Sequence, residues 1–167
     1  MHSTAAIGGL IKPESAAAKR SMDLGLVCEF AARHAYYAPT PIGGLMSLLQ
    51  NAQRVRQLKV YLNGYEECVG YVVWAFLTPD VEDEFIAGNP RRLAEWEFND
   101  GTSPWILDLA VAPGSLPYVL QDLRDEVFRE HEHLTYYRVK NERRVCKRVS
   151  RDDRTSFMAA GRRSNPA

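Results

Sequence analysis

The sequence predicts an α+β domain, with helices packed on a mostly antiparallel sheet. Three observations carry that expectation. Two helix-patterned stretches open the chain, residues 56–77 and 135–150 alternate as hairpins do, and a strand followed by an amphipathic helix lies between them. The 167 residues, 46% apolar and 25% charged, suit one domain with a single core.

Residues 1–13 read as a loose start. Residues 13–35 then read as a helix, with Pro13 in an opening position and alanine-rich content inside. Val27, Phe30, Ala31 and His34 follow one helical face. Pro39 and Pro41 break the chain. Residues 42–53 form a second short helix with Leu45, Leu48 and Leu49 inward. Leu58, Val60 and Leu62 alternate as a strand. Asn63-Gly64 signals a tight turn, and 68–77 is a long apolar strand. Residues 78–88 fit a short acidic helix with a glycine stop, whereas 90–101 stay ambiguous. Residues 103–114 are a buried strand ended by Pro-Gly. Residues 115–134 are an amphipathic helix with Val119, Leu120, Leu123, Val127 and Phe128 on one face. The expected domain spans residues 1–152, and 153–167 are expected to be a polar, mobile tail.

Net charge is zero, so no global field points to nucleic acid. The distribution is uneven: residues 80–132 hold thirteen acids against four arginines, and residues 134–167 hold ten cations against three acids. Such a basic end can face an oppositely charged partner or simply be a solvated hairpin. Its aromatics also raise RNA, but no RNP-type motif is present. Cys28, Cys68 and Cys146 are odd in number and widely spaced, which speaks against a disulfide framework or structural zinc and for free thiols in a reducing cytoplasm. No metal site is expected. No secretory signal and no apolar run near the roughly 18 residues of a membrane span are read.

Two polar residues interrupt apolar patterns. Asp108 sits in the strand "WILDLAV", alternating with Leu107 and Leu109 and expected on the face of Ile106 and Ala110. A buried carboxylate needs a partner or a cleft. His34 closes an apolar helical stripe. One reading is structural: an aspartate satisfied by backbone or an arginine, and a histidine bonded to a carbonyl or sitting on the helix dipole. The other is a general base with its supporting carboxylate. No nucleophile accompanies them. There is no GxSxG elbow, and Cys28 lies about 600° round the helix from His34. A base without its own nucleophile implies that the substrate brings one. Phosphate-binding glycine motifs are absent.

With these residues in view, the chain resembles the RTX toxin-activating lysine acyltransferases. "ARHAYYAPTPIGGL" is similar to that family's helix ending in histidine before a proline-bearing loop. "CVGYVVWAFL" resembles its "PVAYCSWA" strand, "DVEDEF" its acidic helix, and "WILDLAVAP" its "WIIDWIAP" strand, in the same order. The likeness covers about residues 22–130. It implies a GNAT-like fold and a cytoplasmic enzyme. That enzyme would move a fatty acyl group from acyl carrier protein to internal lysines of a protoxin. His34 falls at the family's catalytic histidine and Asp108 at its aspartate. The resemblance also implies a homodimer, of which the sequence carries no signal of its own. Expected acyl-groove residues are Trp74, Phe76, Trp105 and Leu107, although such residues on alternating apolar strands are more often plain core. Arg143, Arg144, Lys147, Arg148 and Arg151 are expected to steer the acidic carrier. The chain departs from the family pattern at Ala31, where a serine is usual, and at Leu109, where a tryptophan is. A GNAT enzyme using acyl-CoA is the enzymatic alternative, though the pyrophosphate loop is missing at "VAPGSLPYV". A non-catalytic partner-binding module is the third reading.

Overall fold

A computed structural model describes residues 16–34, 37, 39–140 and 143–159. These residues form four α-helices and one five-stranded sheet, in the order α1 (Ala16–Ala32), α2 (Ile42–Arg54), β1 (Leu58–Leu62), β2 (Cys68–Leu77), α3 (Pro79–Ile86), β3 (Ser103–Val111), α4 (Leu116–Asp122), β4 (His133–Lys140) and β5 (Arg143–Ser150). The strands lie in sequence order across the sheet. Every neighbouring pair is antiparallel except β3 and β4, which run parallel. The α+β expectation therefore holds, and so does the order of elements. Pro13 lies outside the described residues.

Alternation along the strands divides the core into two layers. On one face, α1, α2 and α3 bury Val27, Phe30, Leu49 and Phe85 against Tyr71, Val73, Ala75 and Trp105. On the other, α4 and the turns after it bury Val119, Leu123 and Phe128 against Val72, Ile106 and Leu134. Side chains that alternate across a central strand feed both layers, so β2 is apolar throughout.

Three local structures differ from the expected ones. The β1–β2 connection is not a two-residue turn at Asn63-Gly64. Asn63 Oδ1 instead accepts the backbone N–H groups of Tyr65 and Glu67 at 2.9 and 3.0 Å, and Glu66 takes φ of 62°. The asparagine thereby organises a five-residue loop around its own side chain. The predicted helix over 115–134 is regular only as far as Asp122. It continues as a π turn over Leu123–Val127, where the Phe128 N–H reaches the Leu123 carbonyl at 2.8 Å. That wider turn turns Leu123 and Phe128, five apart, onto the same buried layer. Finally, residues 153–159 are not a free tail. Met158 is fully buried in the α4 layer, with Phe157 packed beside it. Arg151 fixes the approach, donating to the carbonyls of Arg124, Phe128, Arg129 and His131. α3 ends as expected, at Gly88 with φ of 83°.

Candidate active site

A helix leaves its last carbonyls without intrahelical partners. In α1 one of these is Phe30, and His34 meets it: the ring Nδ1 lies 3.0 Å from the Phe30 oxygen. The imidazole also leans on the Phe30 ring, with centroids 4.3 Å apart. A carbonyl only accepts, so Nδ1 carries the proton of the neutral ring. The lone pair is then on Nε2, the atom a general base needs. The sequence offered a carbonyl-bonded histidine and a base as rival readings, and the geometry accommodates both at once.

Asp108 is placed by a bulge. Val73 of β2 pairs with Asp108, but Trp74 pairs with Ile106, so Leu107 is an extra residue in β3. One extra residue reverses the alternation. Asp108 therefore shares its face with Tyr71, Val73 and Ala110, while Ile106 points to the α4 layer. The expectation that Asp108 shares a face with Ala110 is correct; the same expectation for Ile106 fails because of the bulge.

The carboxylate is held by two phenols. Tyr37 donates to Oδ1 and Tyr71 to Oδ2, each at 2.7 Å. Burial pushes Asp108 above the ordinary aspartate range, against the opposing pull of both hydroxyls and of the Arg144 charge. Burial, reinforced by Asp108 and Tyr37, pushes the Tyr71 hydroxyl up as well, so it stays a neutral donor.

The parallel pairing of β3 with β4 covers only Trp105–Thr135 and Ile106–Tyr136. Beyond it the strands part, and a cavity of about 860 Å³ opens between residues 106–111 and 136–138. His34, Tyr37 and Asp108 all line it, so the predicted base and carboxylate face one space. They do not bond each other: His34 turns to Phe30 and Asp108 to the tyrosines. Leu45 and Leu48 from α2, Leu93, and Leu116 and Leu120 from α4 give the cavity apolar walls. Its size falls within the range of small-molecule sites.

The model of the RTX toxin acyltransferase family matches residues 16–152. The chain belongs to that family. Comparison with curated proteins gives no match. In this RTX toxin acyltransferase the match contains every helix and strand of the described residues, and it stops short of Phe157, which also lines the cavity.

The acyltransferase distributes the other predicted site residues as follows. Leu107 lines the cavity. Trp105 is fully buried behind it, its indole N–H donating to Glu82 Oε1 at 3.0 Å. Trp74 packs edge-on against Phe128, and Phe76 stacks on His131 at 5.1 Å. Those three aromatics are not among the cavity's lining residues: Trp105 is core, Trp74 packs against the α4 layer, and Phe76 is half-buried outside both layers. Arg144 lines the cavity. Lys147 pairs with Tyr136 across the β4–β5 ladder and does not line it. The side chain of Arg143 lies outside the described residues. Arg148 pairs with Glu82 at 3.0 Å, and Arg151 is committed to backbone carbonyls. Sequence reasoning missed Tyr37, Tyr71, Arg138 and Phe157, all but Tyr71 among the lining residues. Tyr71 had a signal, a phenol in an otherwise apolar strand. Tyr37 had only its place three residues after His34.

Proposed function

We propose that this acyltransferase moves a fatty acyl chain from the thioester of an acyl carrier protein to the ε-amine of internal lysines of an RTX protoxin, in the cytoplasm. The reading rests on one observation above all: His34, its Nε2 left unclaimed, lines the same cavity as Asp108. At pH 7 only about one lysine amine in a few thousand is uncharged. As the amine nitrogen attacks the thioester carbon, His34 Nε2 takes its proton, a contribution of about 10²–10⁴-fold. A C–N bond forms. The C–S bond then breaks, and the departing thiolate takes the proton back from the imidazolium. The products are an amide and the carrier's free thiol.

Asp108 places negative charge in the space where His34 becomes a cation, which favours the imidazolium. The edge of β3 that β4 leaves unpaired beyond Ile106 offers backbone N–H groups to the developing oxyanion. Leu45, Leu48, Leu93 and Leu107 form an apolar wall for the acyl chain. Arg144, with Arg143 and Lys147 on the same strand, supplies positive charge that draws an acidic carrier.

The test incubates the chain with an acyl-carrier thioester or with acyl-CoA, together with a protoxin bearing glycine- and aspartate-rich repeats, and reads intact mass. A fatty-acyl gain from the carrier thioester is expected. Acylation from acyl-CoA alone would instead favour a general N-acyltransferase. No transfer from either donor would leave a binding module.

A further inference from the structure

The two groups assigned to chemistry sit on different parts of the fold. His34 follows α1, and Asp108 lies in the middle of the sheet. Tyr71 bonds Asp108 from the neighbouring strand, so that bond stays within the sheet. Tyr37 is different. Its N–H donates to the His34 carbonyl at 3.0 Å, its carbonyl accepts from Thr40 N–H at 2.8 Å, and its hydroxyl reaches Asp108 Oδ1 at 2.7 Å. Its ring lies 6.3 Å from that of Tyr71. We propose that Tyr37 is a positioning residue that ties the His34 segment to Asp108 and so sets the base and the carboxylate at their working separation. The inference rests on the reading of His34 and Asp108 given above.

The physical case is one of order. Among the described residues no hydrogen bond joins His34 to Asp108 directly, so their relative position depends on what links their segments. A short phenol–carboxylate bond is a directional link of that kind. It also fixes which rotamer the carboxylate adopts. Misplacing a reacting group by about 1 Å can lower a rate about 10²-fold.

Removing the Tyr37 hydroxyl takes one donor from the charged form of Asp108. The other charged or titratable groups around this carboxylate are Tyr71 from β2, Tyr136, Tyr137 and Arg138 from β4, Arg144 from β5, and His34, Arg91 and Arg92, all but Tyr71 lining the same cavity. With those unchanged, the carboxylate titrates at higher pH. A tyrosine that merely packs would leave the titration where it is.

The experiment measures kcat and the KM for an acyl-carrier thioester, and follows the Asp108 carboxyl through a pH titration by 13C NMR, for the wild type and Tyr37→Phe. Expected is a fall in kcat of about 10–100-fold, a KM within about twofold, and an Asp108 titration displaced to higher pH. Tyr37→Ala, which removes the ring as well, separates packing from bonding. Loss in the alanine variant with a fully active phenylalanine variant overturns the proposal. So does an unmoved Asp108 titration. A wild-type chain that transfers no acyl group overturns the underlying reading, and the coupling with it.

Discussion

Asp108 shows most plainly how one residue is pulled between folding and chemistry. Burial raises its pKa above that of the unfolded chain. The folded state then holds more protons than the unfolded state between the two values. The stability that comes with the neutral form is complete below the unfolded pKa and is lost as pH rises through the folded one. Above the unfolded pKa the group therefore detracts from stability. Asp108→Asn removes the charge and sets an amide donor against one of the two phenols. Its Tm relative to the wild type is expected to be a few degrees more favourable at pH 7 than at pH 3–4, where about 1 kcal/mol corresponds to roughly 2–4 °C in a chain of this size. A thermal-denaturation series reads this, while acyl transfer falls at every pH. A Tm difference that does not change with pH would point to packing rather than charge. Asp108 and His34 were legible in the sequence because each breaks an apolar pattern. Tyr37 and Tyr71 were not, because tyrosine is at home in cores and on surfaces alike. The strand register and the Leu107 bulge reveal where the Tyr71 hydroxyl points, and Tyr37 reaches Asp108 from the segment between α1 and α2.

At the level of elements, the periodic parts of the sequence predicted their own type. What periodicity could not supply were single-residue insertions: the bulge at Leu107 and the π turn at Leu123–Val127. The bulge serves the site. The bulge turns Asp108 toward Tyr71, and the β3–β4 parting beside it opens the cavity. The aromatics expected in the groove lie off the cavity for the same reason, since alternation tells which residues share a face but not which face meets a cavity. One close approach joins the end of β2 to the segment before β3. Gly101 donates to the Phe76 carbonyl at 2.9 Å, and a Cβ there would lie 1.9 Å from the Leu77 oxygen. Backbone cannot yield as a flexible side chain does. Gly101→Ala is expected to lose about 3 kcal/mol in urea denaturation. A loss below about 0.5 kcal/mol would show that the segment after α3 is free to shift.

Over the whole molecule, the fold class and element order were readable because each element carries its own pattern. The fate of the C-terminal end was not, because its polar composition hides two apolar residues. Met158 is fully buried, and Phe157 reaches the cavity beyond the family match. A chain ending at Asp152 is expected to lose about 2–5 kcal/mol of stability, the range for emptying a buried methionine site. Denaturant midpoints of the two lengths test this, and equal midpoints would contradict it. Among the described residues no helix is long and apolar enough to cross a membrane. The proposed mechanism joins a helix-end imidazole, a strand carboxylate and an apolar cavity in one acyl-transfer site. Its most direct measurement is single-turnover acylation by the wild type and His34→Ala, with donor binding measured separately. A rate loss of at least about 10²-fold with donor affinity held within about threefold is the expected result. An alanine variant that acylates at the wild-type rate would refute it.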